Sequence, residues 1–82
     1  MSTQNAQAPA MTLDLKGLLC PLPVVKIAQA VKKVNVGDTV EATATDPGVL
    51  ADIPAWARTS GNEVVTMERQ DKTIRFVVRR LK

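Results

Sequence analysis

The sequence predicts a small two-layer α/β sandwich, an α+β fold with a mixed four-stranded sheet and both helices on one face. Three observations predict it. Along the 82 residues, hydrophobic periodicity switches between a strand's period of two and a helix's period of about 3.6, in the order β-α-β-α-β-β. The strand segments alternate apolar with polar residues, so only one sheet face is greasy and both helices must cover it. The link between the last two strands is too short for a crossover, which makes them an antiparallel hairpin.

Residues 12–16 alternate, with Leu13 and Leu15 inward and Asp14 and Lys16 outward, as in a short half-buried strand. Gly17 breaks the pattern and the chain loops into Cys20. From Leu22 onward Val24, Ile27, Ala28 and Val31 fall on one helical face and Lys26, Gln29 and Lys33 on the other. Asn35 and Gly37 then open a loop. In residues 39–45, Val40, Ala42 and Ala44 point inward. Asp46 and Pro47 start the second helix, an acidic cap followed by proline in the first turn. That helix carries Val49, Leu50, Ile53, Trp56 and Ala57 towards the core, and Gly61 stops it. Pro54 is expected to kink or divide it, with Asp52 capping the second piece. The closing strands are 63–69, with Val65 and Met67 inward, and 73–80, with Ile74, Phe76 and Val78 inward.

Composition narrows the function. A domain this size buries only somewhat more than about 60% of its unfolded surface. With one Trp, one Phe and no Tyr, the core is aliphatic. A single cysteine excludes an internal disulfide and hence a stapled secreted scaffold; a free thiol fits a reducing compartment, so the chain is expected in the cytoplasm. Residues 1–11 carry no charged side chain and read as a disordered leader to a domain over 12–82, without the basic and apolar regions of a signal peptide. No stretch approaches the roughly 20 apolar residues of a membrane span. The net charge of +3 is uneven: Lys72, Arg75, Arg79, Arg80 and Lys82 put five of eleven cations into the last eleven residues. They read either as the charged protection of an edge strand or as a docking face for an acidic protein or RNA. The lack of interleaved aromatics argues against direct nucleic-acid binding.

Almost all reactive chemistry falls on Cys20, because the chain has no other cysteine and no histidine. One thiol cannot supply a structural zinc site, so no metal is expected, and no histidine exists to serve as the base of a hydrolytic cysteine. Free cysteines are commonly small buried hydrophobes, but Cys20 is followed by Pro21, Leu22 and Pro23 at a helix start. Proline confines the preceding residue to extended angles, which suits Cys20 as N-cap with Pro21 in the first helical position. The Leu22 N–H is then the main donor facing the sulfur. The helix dipole is expected to lower the thiol pKa, aided by Lys16 or Lys26 if they lie near. Gly17, Pro21, Leu22 and Pro23 shape the site, and Lys26, Arg58 and Arg79 are candidate docking cations on charge alone.

The run Leu13-Asp14-x-x-Gly17-Leu18-x-Cys20-Pro21-x-Pro23 resembles the signature of the TusA-like (SirA-like) sulfur-carrier family, and Asp46-Pro47 with Asp52-Ile53-Pro54-x-Trp56 is similar to that family's second helix. The resemblance spans residues 13–80 and implies the same β-α-β-α-β-β sandwich. It implies a sulfurtransferase: Cys20 would take sulfane sulfur as a persulfide from a cysteine desulfurase or a rhodanese-like protein. It would pass the sulfur to the next protein, in tRNA 2-thiouridine synthesis or, through DsrE-like or heterodisulfide-reductase-like acceptors, in sulfur oxidation. The covalent persulfide is the only group carried, with no separate cofactor, and a monomer is expected. Apolar Leu22 stands where the tRNA-thiolation members usually have an acidic residue, Ala57 where many have a second cysteine, and Asn62 where histidine is frequent. A different class stays open: a basic RNA- or protein-binding regulatory module in which Cys20 plays no catalytic part.

Overall fold

The computed structural model describes residues 9–82. The chain runs β1 (Met11–Leu15), α1 (Leu22–Val31), β2 (Thr39–Ala44), α2 (Val49–Ser60), β3 (Glu63–Gln70) and β4 (Thr73–Arg79). The sheet order is β1-β2-β4-β3. β1 pairs parallel with β2 across the α1 crossover; β4 lies antiparallel to both β2 and β3. The sheet is therefore mixed, and α1 and α2 pack on it and against each other. Among the described residues no helix is long and apolar enough to cross a membrane. Residues 1–8 of the expected leader lie outside the described residues. Of its last residues, Ala10 donates its N–H to the Thr39 carbonyl at 2.8 Å and Met11 opens β1 opposite Val40.

Registration of small against large residues builds the core. Ala42 and Ala44 of β2 stand opposite Phe76 and Ile74 of β4, so the bulky side chains have room to meet the helices. Ile27, Ala30 and Val31 of α1 and Val49, Ile53 and Ala57 of α2 are buried over them. Each fully buried Ile or Phe contributes about 1.5–3 kcal/mol by leaving water. On the opposite face Arg75 pairs with Glu41 and, at 3.3 Å, with Glu68. Such exposed pairs contribute at most about 1 kcal/mol each. They keep that face wet.

Several expectations are corrected. Val65 is not inward: a bulge between Val64 and Thr66 leaves Val65 without a partner on β4 and 44% exposed. The extra residue reverses the alternation, so Val64 and Met67 are the side chains that pack against the core. On α1 the buried positions are Pro23, Ile27, Ala30 and Val31, with Ala28 only half-buried. Leu50 is exposed rather than in the core. Pro54 does not divide α2, which runs unbroken from Val49 to Ser60. The lost backbone donor is tolerated there because Ile53 and Ala57, on either side of it, are both buried. Asp52 caps no second piece. The N-cap of α2 is Gly48 rather than Asp46. Gly61, with φ 81°, ends α2 in the left-handed conformation that favours glycine.

Candidate functional site

Parallel pairing of β1 and β2 brings the turns that follow them to the same end of the sheet. The β1–α1 turn carries Cys20 and the β2–α2 turn carries Asp46. Gly17 turns the chain with φ 85°, a conformation costly for side-chain-bearing residues, and donates its N–H to Thr45 Oγ1 at 2.9 Å. The Cys20 N–H then donates to Asp46 Oδ2 at 2.7 Å, while Asp46 Oδ1 accepts the Gly48 N–H at 3.1 Å. One carboxylate thus fastens both turns. The Cys20 thiol is exposed and donates to Asp52 Oδ2, from α2, at 2.6 Å.

This geometry overturns the expected helix-cap role of the thiol. The N-cap of α1 is Pro21 and no side chain caps the helix, so Cys20 stands one residue further out. The Leu22 N–H does not face the sulfur; it donates to the Leu19 carbonyl at 2.9 Å. The thiol pKa is raised rather than lowered, first by the hydrogen bond to Asp52, then by desolvation and by the charges of Asp52 and Asp46. A hydrogen bond given by the thiol favours its neutral form, and a nearby carboxylate disfavours the thiolate. Each of these effects raises the thiol pKa, and all act at the sulfur itself. Lys16 and Lys26 are not among the groups that act on the thiol. Asp46 is shifted the other way: the N–H groups of Gly48 and Cys20 hold its carboxyl below the ordinary range.

The structure gathers Gly17, Cys20, Pro21 and Leu22 at one end of the molecule. Leu22 is 47% exposed and its neighbour Leu19 70%, which gives the thiol an apolar rim. Pro23 belongs to the core instead of the rim, being fully buried. Lys26 is exposed on α1, where it lines a groove of about 320 Å³ with Met11, Leu13 and Leu18 of the β1 side. Arg58 and Arg79 lie elsewhere. Arg58 is in the last turn of α2, whereas Asp52 is in its first. Arg79 pairs with Thr39 at the start of β2, at the opposite end of that strand from Asp46, and its guanidinium meets Glu63 at 3.5 Å. Sequence reasoning saw Asp46 and Asp52 only as helix-start residues. Their spacing within the second-helix motif was the available signal; their aim at Cys20 comes from the parallel pairing.

These features define a class: a two-layer β-α-β-α-β-β domain presenting one exposed thiol at the carboxyl ends of its parallel strands. Residues 11–80 match the family model described as sulfurtransferase TusA. The chain belongs to that family. It is 45% identical over 67 residues to a protein of Aquifex aeolicus assigned as a candidate sulfur carrier, covering 80% of this chain and 34% of that protein. The chain thus spans about a third of the length of that relative. It is 31% identical over 68 residues to the sulfur carrier protein TusA of Allochromatium vinosum, covering 83% of this chain and 90% of that protein. The crystal structure of a SirA-like protein from Desulfitobacterium hafniense has the same fold, with TM-score 0.75 at 19% identity, covering 88% of this chain and 99% of that one.

Proposed function

We propose that the chain is a sulfurtransferase of the carrier type: Cys20 accepts sulfane sulfur as a persulfide and hands it to a thiol of the next protein. The observation that carries this reading is the exposed Cys20 thiol, the only one in the chain, with the apolar Leu19 and Leu22 beside it. An exposed thiol can reach a partner's reacting sulfur, and an apolar rim gives a partner something to exclude water with. A carrier with one thiol cannot release its sulfur by an internal disulfide, so loading and unloading both need another protein's sulfur.

A cysteine desulfurase or a rhodanese-like protein is the donor and a DsrE-like or heterodisulfide-reductase-like protein the acceptor. The exchange takes place between monomers in the cytoplasm. Apolar Leu22 beside the thiol favours the sulfur-oxidation route over tRNA thiolation. The RNA-module alternative has little support. Three of the cations in the basic C-terminal segment are engaged within the chain: Arg75 with Glu41 and Glu68, Arg79 with Glu63, and Arg80 Nη1 with the Val34 carbonyl at 2.6 Å. Trp56, the one candidate for base stacking, is packed against the core.

The test is a relay. Chain preloaded with labelled sulfur by a desulfurase or rhodanese is separated from its donor and mixed with a DsrE-like acceptor. Label should pass to the acceptor's cysteine, and the Cys20→Ser chain should deliver none. Equal delivery by the two would remove Cys20 from the reaction.

A further inference from the structure

Reading Cys20 as a sulfur acceptor leaves one contact without a role. Asp46 has an ordinary turn duty, since it accepts the Gly48 N–H of its own turn as well as the Cys20 N–H. Asp52 does not. Among the described residues its hydrogen-bond donor is the Cys20 thiol, and it enters no ion pair. The charged groups that bear on the sulfur are Asp52 from α2 and Asp46 from the β2–α2 turn. Both are acidic.

We propose that Asp52 is a positioning residue for Cys20: it holds the proton of the unloaded thiol and fixes the sulfur against α2, so that the empty carrier rests as a guarded thiol. This rests on the sulfur-carrier reading. The thiolate is the form that is oxidised and alkylated, and a carboxylate at hydrogen-bond distance holds the sulfur in the other form. Loading then proceeds in balance with a donor persulfide. Cys20 Sγ attacks the donor's terminal sulfur, the new S–S bond forms, and the donor's S–S bond breaks with its electron pair left on the donor cysteine. The Cys20 proton ends on that donor sulfur, so a thiol and a persulfide become a persulfide and a thiol. Once loaded, Sγ has no proton to give. Asp52 then faces the lone pairs of Sγ, which frees the Cys20 side chain from its contact with α2. The hydrogen bond from Sγ to Asp52 therefore belongs to the empty state.

The test uses the full chain and its Asp52→Asn and Asp52→Glu variants. The ultraviolet thiolate band is followed against pH, and alkylation by iodoacetamide is timed at neutral pH. Asp52→Asn should titrate at lower pH and alkylate severalfold faster. The gain stays below the rise in thiolate fraction because nucleophilicity falls with pKa. Asp52→Glu should move both readouts back towards the original. An Asn variant that titrates at or above the original overturns the proposal. Should the variants fail to fold, the S–H stretching band of the unaltered chain decides, because Cys20 is its only thiol. A band displaced to low wavenumber at neutral pH supports the contact, and one at the free-thiol position, or none, refutes it. Sulfur uptake by the unaltered chain is measured alongside. No uptake from any donor sinks the carrier reading whatever the titration gives, whereas uptake with an unshifted Asn variant sinks only the role of Asp52.

Discussion

Asp46 Oδ2 accepts the backbone N–H of Cys20 at 2.7 Å, joining two turns whose contacting residues are 26 apart in sequence. The loop that carries the thiol is thereby held to the start of α2, and the position of the sulfur depends on a residue that is not its sequence neighbour. Asp46→Ala removes an acceptor serving two backbone donors. Amide hydrogen exchange should quicken at Cys20 and Gly48 while Ala42, inside the sheet, keeps its protection. Unchanged exchange at Cys20 would show that the loop holds itself.

The pH dependence of stability should fall at both ends. The Asp46 carboxyl titrates below its ordinary value in the folded chain, so the unfolded chain takes up the proton first. Its stabilisation is full above the ordinary Asp value of about 3.9 and is lost as pH falls through the lower folded value. The thiol behaves oppositely. Its pKa is raised on folding, so its stabilisation is full below the free-thiol value of about 8.5 and is lost as pH rises through the raised value. Urea midpoints measured across pH should show both limbs. Cys20→Ser should flatten the alkaline limb and leave the acid limb in place.

The bulge in β3 makes two adjacent valines unequal. Val64 packs against the core and Val65 faces solvent. Val64→Thr places a hydroxyl at a half-buried position against the core and should cost about 1 kcal/mol, while Val65→Thr should stay within about 0.5 kcal/mol. Denaturant melts decide it, and the reverse ranking would mean a regular strand with Val65 inward.

Phe76 is fully buried in the central strand β4. Phe76→Ala should cost about 3–5 kcal/mol through lost transfer energy and the cavity left behind. Total stability for a chain of this size is about 4–12 kcal/mol, so this variant should be partly unfolded at 37 °C (by circular dichroism, for instance).

At Gly61 the left-handed backbone (φ 81°) ends α2, and the N–H groups of Gly61 and Asn62 both reach the Ala57 carbonyl at 2.9 Å. Gly61→Ala should cost about 1–2 kcal/mol from that conformation. A Cβ there would also meet the Lys82 side chain at 2.8 Å, a flexible group that can move aside. Deleting Lys82 in the same background should leave most of the loss, as read from the thermal midpoint.

How much of this was legible in the sequence depends on range. Periodicity places every strand within a residue and the start of each helix within two, because each pattern is local to its element; α1 ends at Val31, short of the loop expected at Asn35. Val65 is misplaced by periodicity because it is itself the bulge residue, and the apolar run Val64-Val65 does not show which of the two is the extra one. The thiol's environment was misread for a different reason. The dipole argument used only the residues around Cys20, while the dominant partner, Asp52, is 32 positions away. Its direction could be known only once β1 and β2 were paired in parallel, which sets the two β-α turns side by side. The contact with Asp52 acts at hydrogen-bond distance, whereas Pro21 and Pro23 remove two of the amides through which the end of α1 would act.

The central claim is that Cys20 carries sulfur, and intact-mass measurement addresses it most directly. The chain is incubated with cysteine and a cysteine desulfurase, or with a persulfidated rhodanese, and then weighed. The account predicts a gain of one sulfur atom, reversed by reductant, mapped to Cys20 and absent in Cys20→Ser. No gain from any sulfur donor, or a gain that survives Cys20→Ser, would contradict it.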